Sequence, residues 1–460
     1  MTKSYDITII GGGPSGISLC MMLLKTGKSV QIIEREKSLG GCWRIEWDSN
    51  KYYTEHSPHI TTDGYKRFHK LCDELGVENS YKKTYKYHSA FLSVYLSDTV
   101  VKNLSAMDII KITSGFIMSR IVTNKQTVLE FSESLSDKGK KTIYLIAVTA
   151  ATVPERMMMQ DIFEEMSRFP PSLQQMTRPE DWLKAAEDRF EEEPNVTLTL
   201  NKKVTSVRKI NEGFLINDDI VSKQCIFALP PIALYKILEK SDNILQNNWL
   251  PFAKLKEWAY GSYYASIGFQ LHFDIDVKYD EMWCKSCAGE WNIIILPMSN
   301  YLDEYSKDST IKTVWSCTIV DQTGYSSRLR KKVHECTLVE IEKECIKQLQ
   351  IPKPKVFTFY NGLYKENGYY MSKDTGFARQ KFGTLPHEGK IKNLYIVSTV
   401  NQKGIINMES ALKSSYEFIK EYHNGYETLL ELPVDSSLLK LLIIILIITT
   451  VMSLFSRIRM

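Results

Sequence analysis

The chain opens with two short apolar runs that bracket a helical pattern. Tyr5–Ile10 (YDITII) reads as a strand, GGGPSG follows, and apolar residues then recur at helical spacing from Ser15 to about Lys25. Gly27 stops that helix, and SVQIIE forms a second apolar strand ending at Glu34. Much further along, SYYASIGFQLHF, WNIIILPM and TVWSCTIV are alternating or β-branched, which predicts a separate mixed or antiparallel sheet. Phe163–Glu193 is amphipathic and rich in charge, and is read as a solvated helical face. Leu441–Phe455 (LLIIILIITTVMSLF) is apolar on every side, and a helix of that kind must be buried completely.

At 460 residues the chain exceeds a usual single core, so two domains with appendages are expected. The net charge of +4 owes three charges to Lys440, Arg457 and Arg459, and the remainder carries 55 basic against 54 acidic residues. Such a body has no bulk electrostatic pull toward phosphates, so no nucleic-acid partner is expected. Nine scattered cysteines form no dense framework and read as reduced thiols in a cytosol-facing compartment. Counted from Leu438, the apolar tail is eighteen residues with one lysine, about 27 Å of helix, close to the thinner intracellular membranes. Residues 438–456 are therefore expected to be a C-terminal transmembrane anchor behind a linker at 426–437, with the body facing the cytosol. The alternative is a buried terminal helix.

The first forty-five residues carry the most specific chemistry. In GGGPSG, Gly11 permits a tight turn, Gly13 lets the backbone approach a pyrophosphate, and Gly16 lets helix and strand pack closely. Pro14 and Ser15 open the helix, whose free N–H groups and partial positive charge attract phosphate oxygens. Glu34 lies eighteen residues past the last glycine, placed to accept hydrogen bonds from ribose hydroxyls and to repel a 2′-phosphate. The pattern predicts a Rossmann-like dinucleotide site, with an ordinary glycine turn as the bland alternative. Gly40, Gly41, Cys42 and Trp43 then form a second glycine pair six residues beyond the acid.

With that second pair, the sequence resembles the FAD superfamily of flavin amine oxidases, protoporphyrinogen oxidases, phytoene desaturases and flavin monooxygenases. Four more segments are similar to the amine oxidase branch: Glu55–Val77, NVTLTLNKKVTSVRKI with VSKQCIFALPPIAL, Asn393–Val400, and Ile406–Ser415. The resemblance implies an α/β fold with a discontinuous FAD-binding domain at 1–85, 195–245 and 386–425. It implies a mixed α+β substrate domain at 86–194 and 246–385. By the same resemblance Val204 contacts the adenine region, and the helix opening at Asn407 and Met408 points at the flavin ring. The implied activity is hydride transfer from a substrate C–H to noncovalently bound FAD, with molecular oxygen as acceptor and peroxide as product. The substrate is a small amine or a lipid-soluble molecule.

Departures from the family pattern are specific. Tyr369 stands where some relatives carry a flavin-bonding cysteine, which removes that covalent route. Tyr370 matches one wall of the family's aromatic cage around the substrate, and is the expected catalytic-site residue. Asn407, which is not aromatic, falls on the other wall. Ala265 replaces a lysine, Val400 replaces an acid, and Cys42 replaces an arginine. No second GxGxxG is present for NADPH, which weighs against a monooxygenase although GGCW is reminiscent of one. A monooxygenase-like enzyme and an FAD-binding scaffold without turnover stay open as alternatives. No metal site is expected: the CxxC of Cys284 and Cys287 has no second pair. His56 and His59 could serve as bases near the cofactor, but without carboxylate partners they read as surface or core residues.

Overall fold

The computed structural model describes residues 3–77, 81–83, 104–149, 152–167, 173–262, 265–277, 289–373, 383–404, 406–423 and Leu430. The expected linker at 426–437, the expected anchor at 438–456 and the Cys284–Cys287 pair lie outside the described residues. No helix among the described residues is long and apolar enough to cross a membrane. The expected localisation, a membrane-anchored body facing the cytosol, is therefore corrected. It rested on the hydropathy of the tail alone, and nothing in the described structure carries it.

Two sheets organise the molecule. The larger contains β1 (Lys3–Ile10), β2 (Val30–Ile33), β3 (Val196–Thr199), β4 (Val207–Ile210), β5 (Gly213–Ile216) and β6 (Ile220–Phe227) in the order β3-β2-β1-β6-β5-β4. The second half of β6 also pairs with a strand near the end of the chain, Leu394–Ile396. β3, β2, β1, β6 and that last strand run parallel, whereas β4 and β5 form an antiparallel meander. Register places Ile10 opposite both Ile33 and Phe227. The glycine turn after β1, Glu34 after β2 and Ala228 after β6 therefore open at one edge, the carboxyl edge where α/β sheets bind ligands.

Helices cover both faces of this sheet, so all four positions of β2 (VQII) are buried, Gln31 included. α1 (Pro14–Leu23) is buried from Ser15 to Leu23. It packs with α2 (Lys66–Glu74), α3 (Asp181–Glu192) and a final helix, Met408–Tyr422, on one core containing Ile9, Leu19, Phe68, Trp182 and Phe418. Small residues bring α1 and the final helix together: Ser18 Oγ donates to Ser415 Oγ at 2.8 Å, and Ser415 Oγ lies 3.1 Å from the Ser15 carbonyl. The reading of Phe163–Glu193 as a solvated face is half right. α3 is charged outside, but Trp182, Leu183, Ala186 and Phe190 are buried against the dinucleotide-type core.

The second sheet is antiparallel, as the alternating pattern predicts. It contains β7 (Ile267–Phe273), β8 (Ile294–Pro297), β9 (Thr313–Ile319) and β10 (Val356–Phe359) in the order β8-β9-β7-β10. Its core gathers Phe269, Trp291, Trp315, Cys317 and Ile341. β7 touches the first unit directly. Gly268 lies so close to the His56 carbonyl that a Cβ would clash, and Gln270 Nε2 donates to the Glu55 carbonyl at 2.9 Å.

Candidate active site

The turn between β1 and α1 has the conformation its glycines imply. Gly11 has φ +110°, and a Cβ there would sit 2.5 Å from the Ala228 carbonyl oxygen. A Cβ on Gly16 would run into the Gly11 carbonyl, so that glycine sets the approach of helix to strand. Gly13 is the N-cap of α1 in extended conformation (φ −78°), with no side-chain cap and no acid in the first turn. The helix thus presents bare N–H groups and its positive end at the sheet edge, a setting that favours an anion. A Cβ built on Gly13 meets only the Gly41 Cα, at 3.8 Å. The two glycine motifs therefore face each other, and Gly40 N donates to the Gly12 carbonyl at 2.8 Å.

Glu34 is 6% exposed. Its Oε2 accepts from Gly12 N at 2.8 Å and its Oε1 from Glu36 N at 3.0 Å. Arg44 Nη2 lies 3.7 Å from Oε1. A carboxylate has about four lone-pair sites, so each oxygen keeps capacity for a hydroxyl donor. The uncapped helix, the side-chain-free cradle between Gly13 and Gly41, and the fixed acid all fit a dinucleotide.

Beyond the cradle stands a cluster that sequence reasoning undervalued. His59 Nδ1 is 2.9 Å from Glu55 Oε2, with Glu55 almost completely buried. The His59 ring lies 4.8 Å from Trp43 and, edge to face, 4.8 Å from His56. Burial opposes charging His59, but the neighbouring Cys42 side chain, the hydrogen bond to Glu55 and the Glu55 charge outweigh it and push the imidazole up to about 9. Burial, then the neighbouring His59, holds His56 well below its ordinary range. The expectation that these histidines have no carboxylate partner is corrected: Glu55 stands at i−4 from His59. That spacing was visible, but the loop conformation that closes the pair was not. Trp43 is fixed by Phe68 at 6.1 Å, which in turn packs on Trp182.

The remaining expected residues are spread wider. Val204 is buried beside the sheet with Ile10 and Ile33. Asn407 caps the final helix, its Oδ1 accepting from Ser410 N at 2.8 Å, and Met408 is buried as the first helical residue. Glu409 in the same turn accepts from Arg67 N, Phe68 N and Arg67 Nη1, tying this helix to the start of α2. Tyr370 follows the turn of a hairpin (Leu363–Glu366 with Tyr369–Ser372), where Asn367 and Gly368 have positive φ. Its phenol donates to the Cys336 carbonyl at 2.7 Å within the second core. Gln322, not foreseen from sequence, joins Tyr370 to Ala265. Its Nε2 donates to both carbonyls at 2.8 Å, and its Oε1 accepts from Tyr370 N at 2.9 Å. Val400 is buried in a short 3₁₀ turn, and no metal-binding group is present among the described residues.

Comparisons with known proteins agree with this frame. Residues 9–75 match the model of the NAD(P)-binding Rossmann-like domain. A stretch of 41 residues is 39% identical to 6-methylpretetramide 4-monooxygenase of Streptomyces rimosus, spanning 9% of this chain and 10% of that protein. Among solved structures, putrescine oxidase bound to putrescine superposes with a TM-score of 0.60 at 13% identity, over 92% of this chain and 99% of that one. Cyclohexylamine oxidase from Brevibacterium oxydans gives 0.57 at 13% identity, over 91% and 100%. An oxidoreductase from Methanosarcina mazei gives 0.59 at 14%, over 90% and 99%. The chain has a Rossmann-like dinucleotide-binding unit within the fold that these oxidases share.

Proposed function

We propose that the protein is an FAD-dependent oxidoreductase of the amine oxidase type, acting on a small molecule with oxygen as electron acceptor. The observation that carries this reading is the open cradle between Gly13 and Gly41, flanked by the uncapped start of α1 and by buried Glu34. The fold shared with putrescine and cyclohexylamine oxidases supports it. Bound noncovalently, the isoalloxazine would supply the two-electron chemistry. The chain's own residues do the rest. Gly11, Gly13, Pro14, Ser15 and Gly16 present backbone and helix charge to the pyrophosphate, and Glu34 accepts from ribose hydroxyls. Gly40, Gly41, Cys42 and Trp43 form the opposite wall, Val204 lies on the adenine side, and Asn407 with Met408 presents the final helix's positive end. Tyr370 belongs to the substrate side. Residues 1–85, 195–245 and 386–425 would hold the cofactor, and 86–194 with 246–385 the substrate.

The visible absorption spectrum of the purified full chain, before and after denaturation, tests the cofactor. A flavin spectrum whose chromophore is released on unfolding is expected. A colourless protein that also refuses added FAD overturns the reading. Peroxide release across an amine panel then tests the reaction type. The short match to a monooxygenase favours a second reading, and rapid bleaching by NADPH would select it.

A further inference from the structure

His56 is a buried polar side chain with no task in the cradle. It is 8% exposed, and its ring nitrogens have no hydrogen-bond partner among the described residues. A buried polar group left unpaired in a native structure calls for an explanation, and a ligand is one. The backbone beneath it is pinned. The His56 carbonyl lies against Gly268 of β7, where no Cβ would fit, and the adjoining Glu55 carbonyl accepts from Gln270 Nε2 at 2.9 Å. Its ring stands edge to face with His59 at 4.8 Å and with Tyr360 at 6.1 Å. Trp43, His59, His56 and Tyr360 thus form one row of rings, from the second glycine motif to the residue after β10.

The two histidines differ in their partners. His59 takes the carboxylate: Glu55 Oε2 lies 2.9 Å from its Nδ1, and Glu55 Oε1 is sealed from solvent. An imidazole held against a buried carboxylate favours its protonated form, whose Nε2 is then a second donor. The His59 side chain is 16% exposed, which keeps the row open to small molecules. The titratable groups facing the pair are Glu55, the Cys42 and Tyr53 side chains, and Tyr360. Acids further out each face a base: Glu34 lies 3.7 Å from Arg44, and Glu46 lies 3.1 Å from Lys373, which stands over the Tyr360 ring. Among the described residues, this row therefore offers an ammonium ion no uncommitted, accessible acid. It offers an anion a charged donor on His59 and a free N–H on His56.

We propose that His56 and His59 form an anion subsite on the substrate side of the dinucleotide cradle, one that takes the carboxylate of the substrate. His59 supplies charge and one N–H, His56 supplies a second N–H, and Trp43 and Tyr360 supply flat walls for the rest of the molecule. The inference rests on the FAD reading for its place beside the cofactor, and it narrows the substrate to a C–H donor that also carries an acid group.

The test is titration calorimetry on the purified full chain, with and without saturating FAD. Benzoate, benzamide and benzylamine serve as probes of similar shape and different charge. At pH 7 benzoate should bind at least about tenfold tighter than either of the others, the size of one charge-assisted hydrogen bond. It should weaken at least about tenfold in His59→Gln, which keeps a donor for Glu55 but no charge, and in His56→Phe, which keeps a ring but no N–H. Affinity should hold from pH 6 to pH 8 and fall as pH passes about 9, where His59 loses its proton. Benzoate that binds no tighter than benzamide, or equally in both variants and wild type, overturns the proposal. So does benzoate that FAD displaces, because the pair would then belong to the cofactor's own cradle. A chain that refuses FAD overturns the cofactor reading first, and benzoate binding with its loss in the two variants then decides the anion subsite alone. Should His59→Gln fail to fold, by circular dichroism, His56→Phe and the wild-type preference for benzoate decide.

Discussion

Gly13→Ala separates the role of the glycine turn in folding from its role in binding. Gly13 has a negative φ of −78°, and its added methyl group would make only an ordinary contact, 3.8 Å from the Gly41 Cα. Alanine is a poorer N-cap than glycine, at a cost of about 1 kcal/mol. It also reduces the freedom of the unfolded chain, which returns about 0.4–1 kcal/mol. Net stability should therefore change by less than about 1 kcal/mol, a shift in Tm of roughly 2–4 °C at most. In the proposed cradle the same methyl group stands where the backbone would approach a pyrophosphate. Losing one charge-assisted hydrogen bond costs about 1.5–3 kcal/mol, so FAD affinity should fall roughly tenfold to a hundredfold. The assay is flavin fluorescence quenching on titration into cofactor-free protein, alongside a thermal melt. Gly11→Ala is the contrast: with φ +110° and the Ala228 carbonyl 2.5 Å from the new Cβ, it should lose at least about 2 kcal/mol of fold stability. If Gly13→Ala melts like wild type and binds FAD within threefold of it, the cradle is not where the phosphates lie.

Other consequences follow from buried charge. Glu409→Ala removes the acceptor for Arg67 N and Phe68 N and the partner of the Arg67 guanidinium. It should cost about 3 kcal/mol, read as a lowered urea midpoint with unchanged m. Glu34→Gln leaves the Gly12 or Glu36 N–H facing an amide nitrogen, so stability should fall by about 1–3 kcal/mol, with FAD affinity reduced at least about tenfold. His272 is held neutral, at about 4, chiefly by burial. Its ordinary value is about 6.5, so the unfolded chain binds the extra proton between those limits, and stability present above pH 6.5 is lost as pH falls toward 4. His272→Gln, which keeps a partner for Thr358, should shrink that loss by on the order of 2 kcal/mol in urea melts at pH 7 and pH 4.5.

What the sequence made legible was local or periodic. The strand, glycine turn, helix and strand around Gly11–Glu34 could be read because the glycines, the helix start and the acid follow one another at fixed spacing in one short stretch, although Gly11 and Gly13 answer Ala228 and Gly41 from elsewhere in the chain. β7 and β9 could be read because a packed sheet needs period-two or β-branched side chains. α3 was misjudged because its acids dominate the count, while four residues, Trp182, Leu183, Ala186 and Phe190, decide which face is buried. The His59–Glu55 pair was missed because an i,i+4 spacing outside a helix says nothing until the loop is built. Gln322 gave no signal at all. A lone glutamine after a strand becomes informative only when its amide is seen to bridge Ala265 and Tyr370.

Three of the departures from the amine oxidase pattern have a job in this fold. Asn407 caps a helix, with its Oδ1 committed to Ser410 N at 2.8 Å. Val400 belongs to the apolar core with Leu385, Leu394 and Ile396, and its carbonyl accepts from Leu385 N at 3.1 Å. Ala265 packs against Ile232 while its carbonyl takes a bond from Gln322. A position whose polar residue had simply decayed would leave a gap or an unpaired partner, and each costs about 1–3 kcal/mol. These three positions are filled and satisfied instead. The dinucleotide frame, written in glycines and backbone, is therefore separable from the side chains that select a substrate. At 13% identity, the likeness to putrescine and cyclohexylamine oxidases carries the frame alone. With Asn407 where the family pattern has an aromatic wall of the substrate cage, the substrate panel should run from amines to uncharged, lipid-soluble C–H donors.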